Sequence, residues 1–226
     1  MKSQPFVEIY SSMECPYAYL TVYRLRQVWQ ELAGQVQIAW RSLPLEYVNR
    51  QPYPKPLYRA EYSLFQRIEP ELPWKLWDKP DWEWPITYWP AYEALNCAQA
   101  QSSEAALEMS WRLRHAYFSL NRNLSLRHEI MAVAEEVAVV TSLDLDRFRA
   151  GWDSGRYKQQ VIDDARRGWE ELKVEGSATF VLPDGSRVTN PAVGEIDFDE
   201  ENAILRSYTP YEGDPLEVYR EMLKGV

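Results

Sequence analysis

The alternation of apolar and polar residues at the start of the chain predicts a strand over residues 5–12, and a second strand is predicted over 36–40. A helix joins them, and Gly34 marks its end. Apolar residues at spacings of three and four give this helix a single apolar face, formed by Val22, Leu25, Trp29 and Leu32. The connection is long enough for the two strands to run parallel, so the first part of the chain is β–α–β.

The middle of the chain changes character. Residues 45–90 are rich in Pro, Tyr and Trp and show little periodicity, although a short helix is predicted near Leu57–Ile68. Helical patterning then dominates, with Ser125 as the expected N-cap of the third helix of this block. The helices are predicted over 91–100, around 106–120, around 130–137, over 144–152 and over 157–172.

Strand patterning returns at Ala178–Leu182, and a turn at 183–185 leads into a return strand at Ser186–Thr189. A further strand or loop covers 193–208, and Asp214 followed by Pro215 begins a last helix. The order is β–α–β, a helical block and β–β–α. It predicts an α/β, thioredoxin-like fold with an all-helical insertion, divided into residues 1–48, 49–172 and 173–226.

Composition narrows the function. The 226 residues are 46% apolar, which suffices for the core of one domain with a large insertion. A net charge of -9 argues against nucleic acid or an anionic membrane as partner. No apolar run approaches the roughly 20 residues that span a bilayer, and no signal peptide is evident, so we expect a cytoplasmic protein. Two cysteines and two histidines predict neither a disulfide framework nor a metal site.

Cys15 is the candidate for chemistry, because it stands at a strand-to-helix junction. A cysteine there faces free backbone N–H groups and the positive end of the helix dipole, which favour the nucleophilic thiolate. Pro16 suits the first helical position. Ala18 occupies the position that would complete a Cys-x-x-Cys pair, so the predicted thiol has no local partner.

Two motifs resemble the DsbA-like thioredoxin superfamily, which includes 2-hydroxychromene-2-carboxylate isomerases and kappa-class glutathione transferases. Residues 11–20, Ser-Ser-Met-Glu-Cys-Pro-Tyr-Ala-Tyr-Leu, resemble the redox-active turn. Residues 174–181, Val-Glu-Gly-Ser-Ala-Thr-Phe-Val, resemble the segment that carries the family's cis-proline. The Pro-Tyr-Ala-Tyr-Leu portion is still more similar to the isomerases, which commonly carry serine where Cys15 stands.

The resemblance implies a substrate or glutathione site formed by Ser12, Pro16, Tyr17 and the loop Ser177–Ala178 beside Cys15. Ala178 replaces the cis-proline. A cis bond costs roughly 2.5–4 kcal/mol before a residue other than proline, against about 0.5–1 before proline, so we expect Ser177–Ala178 to be trans or the loop to be rearranged. The backbone of Ser177 would pair with a peptide or glutathione.

The aromatic segment between Trp74 and Tyr92 has two interpretations that the sequence leaves open: a groove for an apolar substrate, or a loop pinned by large rings. Tyr88 and Trp89 are the best groove candidates, since the resemblance places them before the helix that caps the active site. We expect them to border one cleft with Cys15 and the Ser177–Ala178 loop.

Four other residues with reactive or titratable side chains are not expected to take part in catalysis. Cys97 lies among helix formers and is expected in the core. His115 is expected to be solvated or to cap a helix, and His128 to have no catalytic role. Glu14 would raise the pKa of the neighbouring thiol and so oppose its activation.

The sequence therefore predicts a DsbA-family thiol–disulfide oxidoreductase-like enzyme that uses Cys15 as a single active-site thiol, in the motif Cys-x-x-Ala. Its partner would be a small thiol or disulfide, with glutathione as cosubstrate and no tightly bound cofactor. Two alternatives remain: a glutathione-dependent isomerase or transferase, and a non-catalytic binding protein on the same scaffold. The sequence leaves the oligomeric state open.

Overall fold

A four-stranded mixed sheet lies at the centre of the computed structural model, which describes residues 6–199 and 201–224. Its strands are β1 (Phe6–Ser11), β2 (Gln37–Ser42), β3 (Thr179–Val181) and β4 (Arg187–Thr189), in the order β2-β1-β3-β4. β1 pairs with β2 in parallel and with β3 antiparallel, as the predicted β–α–β and hairpin require. Pro5, the first residue of the predicted first strand, lies outside the described residues.

Helix α1 (Pro16–Leu32) crosses between the two parallel strands, and α9 (Pro215–Lys224) packs beside it. Three residues of the predicted apolar face of α1, Val22, Leu25 and Leu32, are fully buried. Gly34 adopts the left-handed conformation (φ 79°) just after the helix, which lets the chain turn back toward β2. The hydrophobic periodicity and the helix-ending glycine therefore predicted this β–α–β unit correctly.

Seven helices lie between β2 and β3. They are α2 (Leu45–Asn49), α3 (Lys55–Ile68), α4 (Trp89–Gln99), α5 (Ser103–Phe118), α6 (Arg127–Val140), α7 (Leu145–Asp153) and α8 (Lys158–Arg166), and a π-helical turn at Arg167–Glu171 continues α8. The capping prediction for α6 is wrong. Leu126 is its N-cap, whereas Ser125 uses its hydroxyl to bind the main chain of Thr87, which ties α6 to the segment before α4.

The region predicted as strand or loop over 193–208 is a separate hairpin, β5 (Glu195–Asp199) and β6 (Ile204–Thr209), of which Glu200 is outside the described residues. α9 begins at Pro215, as expected from its capping sequence. The domain boundaries 1–48, 49–172 and 173–226 stay a prediction. None of the helices in the described part of the chain combines the length and apolar character of a membrane span.

The aromatic segment contributes a core. Trp74 and Trp77 are buried, and Trp74 meets Tyr58, Phe65 and Phe118 at ring distances between 4.9 and 5.5 Å. Edge-to-face packing of this kind stabilises a core beyond its area burial. For these tryptophans, the interpretation as a pinned scaffold is the correct one.

Candidate functional site

Cys15 is the N-cap of α1, with Pro16 as the first helical residue, as the sequence predicts. Its main-chain carbonyl accepts the Tyr19 N–H at 3.1 Å, which begins the helical hydrogen-bond pattern. The side chain is only 7% exposed, and its Sγ donates to the main-chain carbonyl of Ser177 at 3.2 Å. The thiol therefore faces the segment that precedes β3.

The expected thiolate is not supported. Burial and, less strongly, the charge of Glu61 together raise the pKa of Cys15 from its ordinary value of 9.0 to about 12. Hydrogen bonds with the backbone of Ala18, the Ser177 side chain and the backbone of Tyr17 act in the opposite direction. Desolvation thus outweighs the helix N-terminus. The charge with the largest effect on the thiol is that of Glu61 on α3.

The Ser177–Ala178 peptide bond is cis, contrary to the expected trans geometry. Hydrogen bonds hold the segment on both sides: Ser12 N–H donates to Ser177 Oγ at 2.7 Å, and Asn190 N–H donates to the Ala178 carbonyl at 2.9 Å. Ala178 itself is fully buried. The turn before α1 and the loop before β3 therefore meet, as the predicted topology requires.

These two segments border a cleft of about 770 Å³. Its other walls come from α2, the segment entering α3, the π-helical turn and the β5–β6 hairpin. Of the predicted site residues, it brings together Cys15, Pro16, Tyr17 and Ser177. Tyr17 is half-buried with its ring edge-on to Phe65, whereas Tyr19 is fully buried.

Four predicted site residues lie elsewhere, because their side chains fill the interior. Ser12 is fully buried, and its hydroxyl donates to the Leu43 carbonyl. Ala178 is fully buried. Tyr88 is fully buried with its ring edge-on to Tyr117 at 5.2 Å, and Trp89 is a half-buried residue of α4 that packs against the core rather than lining the cleft. The expectation that Tyr88 and Trp89 border the cleft is therefore wrong.

The turn before α1 rests on two buried charged residues that the sequence did not reveal in this role. Arg114 on α5 donates to Ser11 Oγ at 2.9 Å and to the Ser12 carbonyl at 3.0 Å. Glu14 accepts from the Tyr92 hydroxyl at 2.7 Å and from Leu45 N–H at 2.9 Å, and burial raises its pKa to about 7. Both residues position the backbone that presents Cys15.

The histidines and the second cysteine lie outside the cleft. His115 is half-buried in the last turn of α5, where it packs flat on Trp111 with Nδ1 3.3 Å from the Tyr19 hydroxyl. Burial lowers its pKa. His128 is exposed. Cys97 is a free thiol buried in α4, in the core position expected of it. The described residues contain no cluster of three acidic, histidine or cysteine side chains that could hold a metal ion.

The cleft is acidic. Glu61, Glu175 and Glu201 line it, and none of the described lining residues is Lys, Arg or His. Glu61 is 7% exposed and stands on α3 between Tyr58 and Phe65, two core residues on the same helical face. A carboxylate within an apolar helical face was the signal in the sequence that could have identified it.

A mixed sheet split by a helical block, with a cysteine capping the first helix opposite the loop before β3, defines a thioredoxin-like protein. The sequence profile of the DSBA-like thioredoxin domain matches residues 6–200, and the chain belongs to this family. Both the resemblance inferred from the motifs and the fold class are confirmed.

Solved structures agree on the fold. A proposed protein disulfide isomerase from Nitrosomonas europaea superposes with a TM-score of 0.67 at 15% identity, covering 99% of this chain and 97% of that one. The cytosolic disulfide reductase DsbM from Pseudomonas aeruginosa with GSH gives 0.63 at 16% identity, covering 81% and 89%. A 2-hydroxychromene-2-carboxylate isomerase gives 0.56 at 15%, covering 81% and 88%. A comparison with curated protein sequences finds no match.

Proposed function

We propose that the protein catalyses thiol–disulfide exchange through Cys15 alone, by way of a mixed disulfide with a small-molecule substrate. One observation carries the proposal: the Cys15 thiol lies at the wall of a large cleft, beside the main chain of Ser177. Membership of a family of oxidoreductase-like domains supports it. Cys97 cannot share the reaction in this conformation, because it is buried within α4 and does not line the cleft.

The exchange has two steps. The Cys15 thiol loses its proton, and the sulfur attacks one sulfur of a disulfide R–S–S–R; a Cys15–S–S–R bond forms, the original S–S bond breaks, and the departing thiolate takes up a proton. With Ala18 where a second cysteine would stand, an external thiol must then attack the mixed disulfide and restore Cys15. We propose glutathione as one such external thiol, acting in the cytoplasm; the GSH-bound DsbM structure supports this choice.

The raised pKa of Cys15 makes the first step slow in the empty cleft, because only the thiolate is nucleophilic. The hydrogen bond to Ser177 also has to break before the sulfur can attack. Entry of substrate therefore has to change the surroundings of the thiol, and the walls of the cleft determine which substrates can do so.

The test is trapping of the mixed disulfide. The Cys97→Ser variant is incubated with 2-hydroxyethyl disulfide, and the intact protein mass is followed from neutral to alkaline pH. We expect one adduct, located on Cys15 by peptide mapping and released by glutathione. A Cys15→Ser, Cys97→Ser variant should form none. A folded protein that forms no adduct on Cys15 at any pH would overturn the proposal and favour the non-catalytic alternative.

A second candidate, the glutathione-dependent isomerase, has one observation in its favour. The Cys15 thiol is held as a neutral hydrogen-bond donor, and such a group could instead donate to the sulfur of bound glutathione. A serine hydroxyl can do the same. Cys15→Ser would then retain glutathione-dependent isomerisation of 2-hydroxychromene-2-carboxylate, whereas it would abolish disulfide exchange.

A further inference from the structure

We infer that the cleft selects positively charged, amine-bearing disulfides of low molecular weight over anionic ones, and that Glu61 and Tyr53 receive the ammonium group. The inference rests on the proposed function and specifies its substrate class. It depends on the charge of the cleft walls and on one buried hydroxyl, neither of which the exchange chemistry itself requires.

The charged side chains among the described lining residues of the cleft are all acidic. Glu61, Glu175 and Glu201 contribute carboxylates, and the described lining residues include no cation. Two of the basic residues near this lining in the chain are engaged elsewhere: Arg50 lies over the Tyr47 ring at 5.4 Å, and Lys55 pairs with Asp81. A concave surface lined by one sign of charge concentrates ions of the opposite sign.

Tyr53 provides an independent sign of a missing ligand. It lines the cleft, it is only 6% exposed, and its hydroxyl has no hydrogen-bond partner among the described residues. A buried hydroxyl without a partner is costly, so a ligand that reaches it gains affinity. An ammonium group has three donors, which suits a phenolic oxygen together with a carboxylate. Tyr53 precedes α3 and Glu61 lies within it, and both line the cleft.

The same pairing connects binding to the reaction. Glu61 is the carboxylate whose charge raises the pKa of Cys15. A bound ammonium offsets that charge, so the thiol loses its proton more readily when a cationic disulfide occupies the cleft. The Cys15 sulfur then attacks, and the departing aminothiol leaves with the proton. Glutathione carries a net negative charge, so we expect it to enter this cleft less readily than an aminothiol does.

Three disulfides of matched size test the inference: cystamine, which is dicationic, neutral 2-hydroxyethyl disulfide and dianionic dithiodiglycolate. Rates of adduct formation on Cys15 are measured in Cys97→Ser protein and divided by each reagent's rate with 2-mercaptoethanol. We expect cystamine to exceed dithiodiglycolate by about tenfold or more, with the neutral reagent between them and the difference shrinking as salt is added.

Three variants locate the effect. Glu61→Gln and Glu175→Gln should each reduce the preference for cystamine, and Tyr53→Phe should weaken cystamine without changing the rate with dithiodiglycolate. Glu221→Gln, an exposed α9 position outside the cleft, should leave the preference intact. Glu175 is exposed, so its variant tests the charge even if Glu61→Gln fails to fold. Equal normalised rates for the three reagents would overturn the inference while leaving the proposed function standing; no adduct with any of them would overturn the proposed function.

Discussion

The Cys15 thiol donates to the main-chain carbonyl of Ser177 at 3.2 Å, across 162 positions of sequence. The contact joins the two motifs that identify the family, and the protonated thiol is its donor. Burial has the larger effect: the pKa of Cys15 rises to about 12 despite the helix N-terminus that faces the sulfur.

The first prediction concerns the pH dependence of Cys15. Because its folded-state pKa is raised from 9.0 to about 12, the thiolate becomes abundant only at strongly alkaline pH. Alkylation of Cys97→Ser protein by iodoacetamide should therefore keep accelerating above about pH 10, where a thiol with the ordinary pKa of 9.0 is almost fully ionised and its rate levels off. Glu61→Gln should move the curve to lower pH, since it removes the second-largest cause of the shift. A curve that levels off at or below about pH 10 in the unmodified site would contradict the burial argument.

Glu14 gives the stability a pH dependence. Its folded-state pKa is raised from 4.5 to about 7, so the folded state holds the proton more tightly and the associated stability declines as pH rises between those values. Glu14→Gln removes this slope. The free energy of unfolding of Glu14→Gln, measured relative to that of the unsubstituted protein, should therefore rise by about 3 kcal/mol from acid to alkaline pH. Urea unfolding at a series of pH values measures it, with Glu221→Gln as control; parallel curves would refute the prediction.

Arg114 is expected to be essential for the turn before α1. Its guanidinium is fully buried and donates to Ser11, Ser12 and Ser110. Arg114→Met removes these donors and leaves buried oxygens without partners, so the free energy of unfolding should fall by about 2–4 kcal/mol. Arg112→Met, a half-buried arginine of the same helix, is the matched control and should cost much less. Similar losses in both variants would exclude a special role for Arg114.

Gly168 in the π-helical turn has no room for a side chain. A Cβ at this position would lie 2.6 Å from Leu43 Cδ1 and 2.9 Å from Tyr10 Cδ1. Gly168→Ala should therefore destabilise the protein by about 1–3 kcal/mol through overpacking. Gly151→Ala is a suitable comparison, because there the nearest atom, Cys97 Sγ, is at an ordinary 3.5 Å. Thermal unfolding of both variants checks the difference, and equal melting temperatures would disprove it.

Trp89 serves as scaffold in this structure. Trp89→Ala should lower the melting temperature, because the ring packs against the core, yet leave the rate of adduct formation on Cys15 unchanged. The assay is the 2-hydroxyethyl disulfide reaction, run where the variant is fully folded. A reaction slowed severalfold in folded protein would contradict this prediction and indicate that Trp89 contributes to the cleft.

The elements that carry strong periodicity or punctuation could be predicted from the sequence. α1 shows its buried face at spacings of three and four, and the capping residues before Pro215 mark the start of α9. The position of Cys15 opposite Ser177 followed from topology, because both segments lie at the same end of the sheet. These features depend on local chemistry and on which strands can be neighbours.

The sequence could not predict how deeply individual side chains are buried. The helix N-terminus at Cys15 is a local feature, but the desolvation that dominates its pKa arises from distant segments packing over it. In the same way, the aromatic character of Tyr88 and Trp89 is typical of a binding groove, but in the structure Tyr88 packs in the core and Trp89 packs against it. Glu61 lies at the cleft because of the way α3 is placed relative to α1, and residue spacing in the sequence does not predict that placement.

The hydrogen bonds of Arg114 have a consequence for how this architecture diversifies. The guanidinium belongs to the helical insertion, whereas the oxygens it binds belong to the turn that presents Cys15. A chimera that received a relative's helices without this arginine would lose the hydrogen bonds that position the turn before Cys15. Recombination between relatives should therefore succeed only when the helical block and the amino-terminal turn are inherited together.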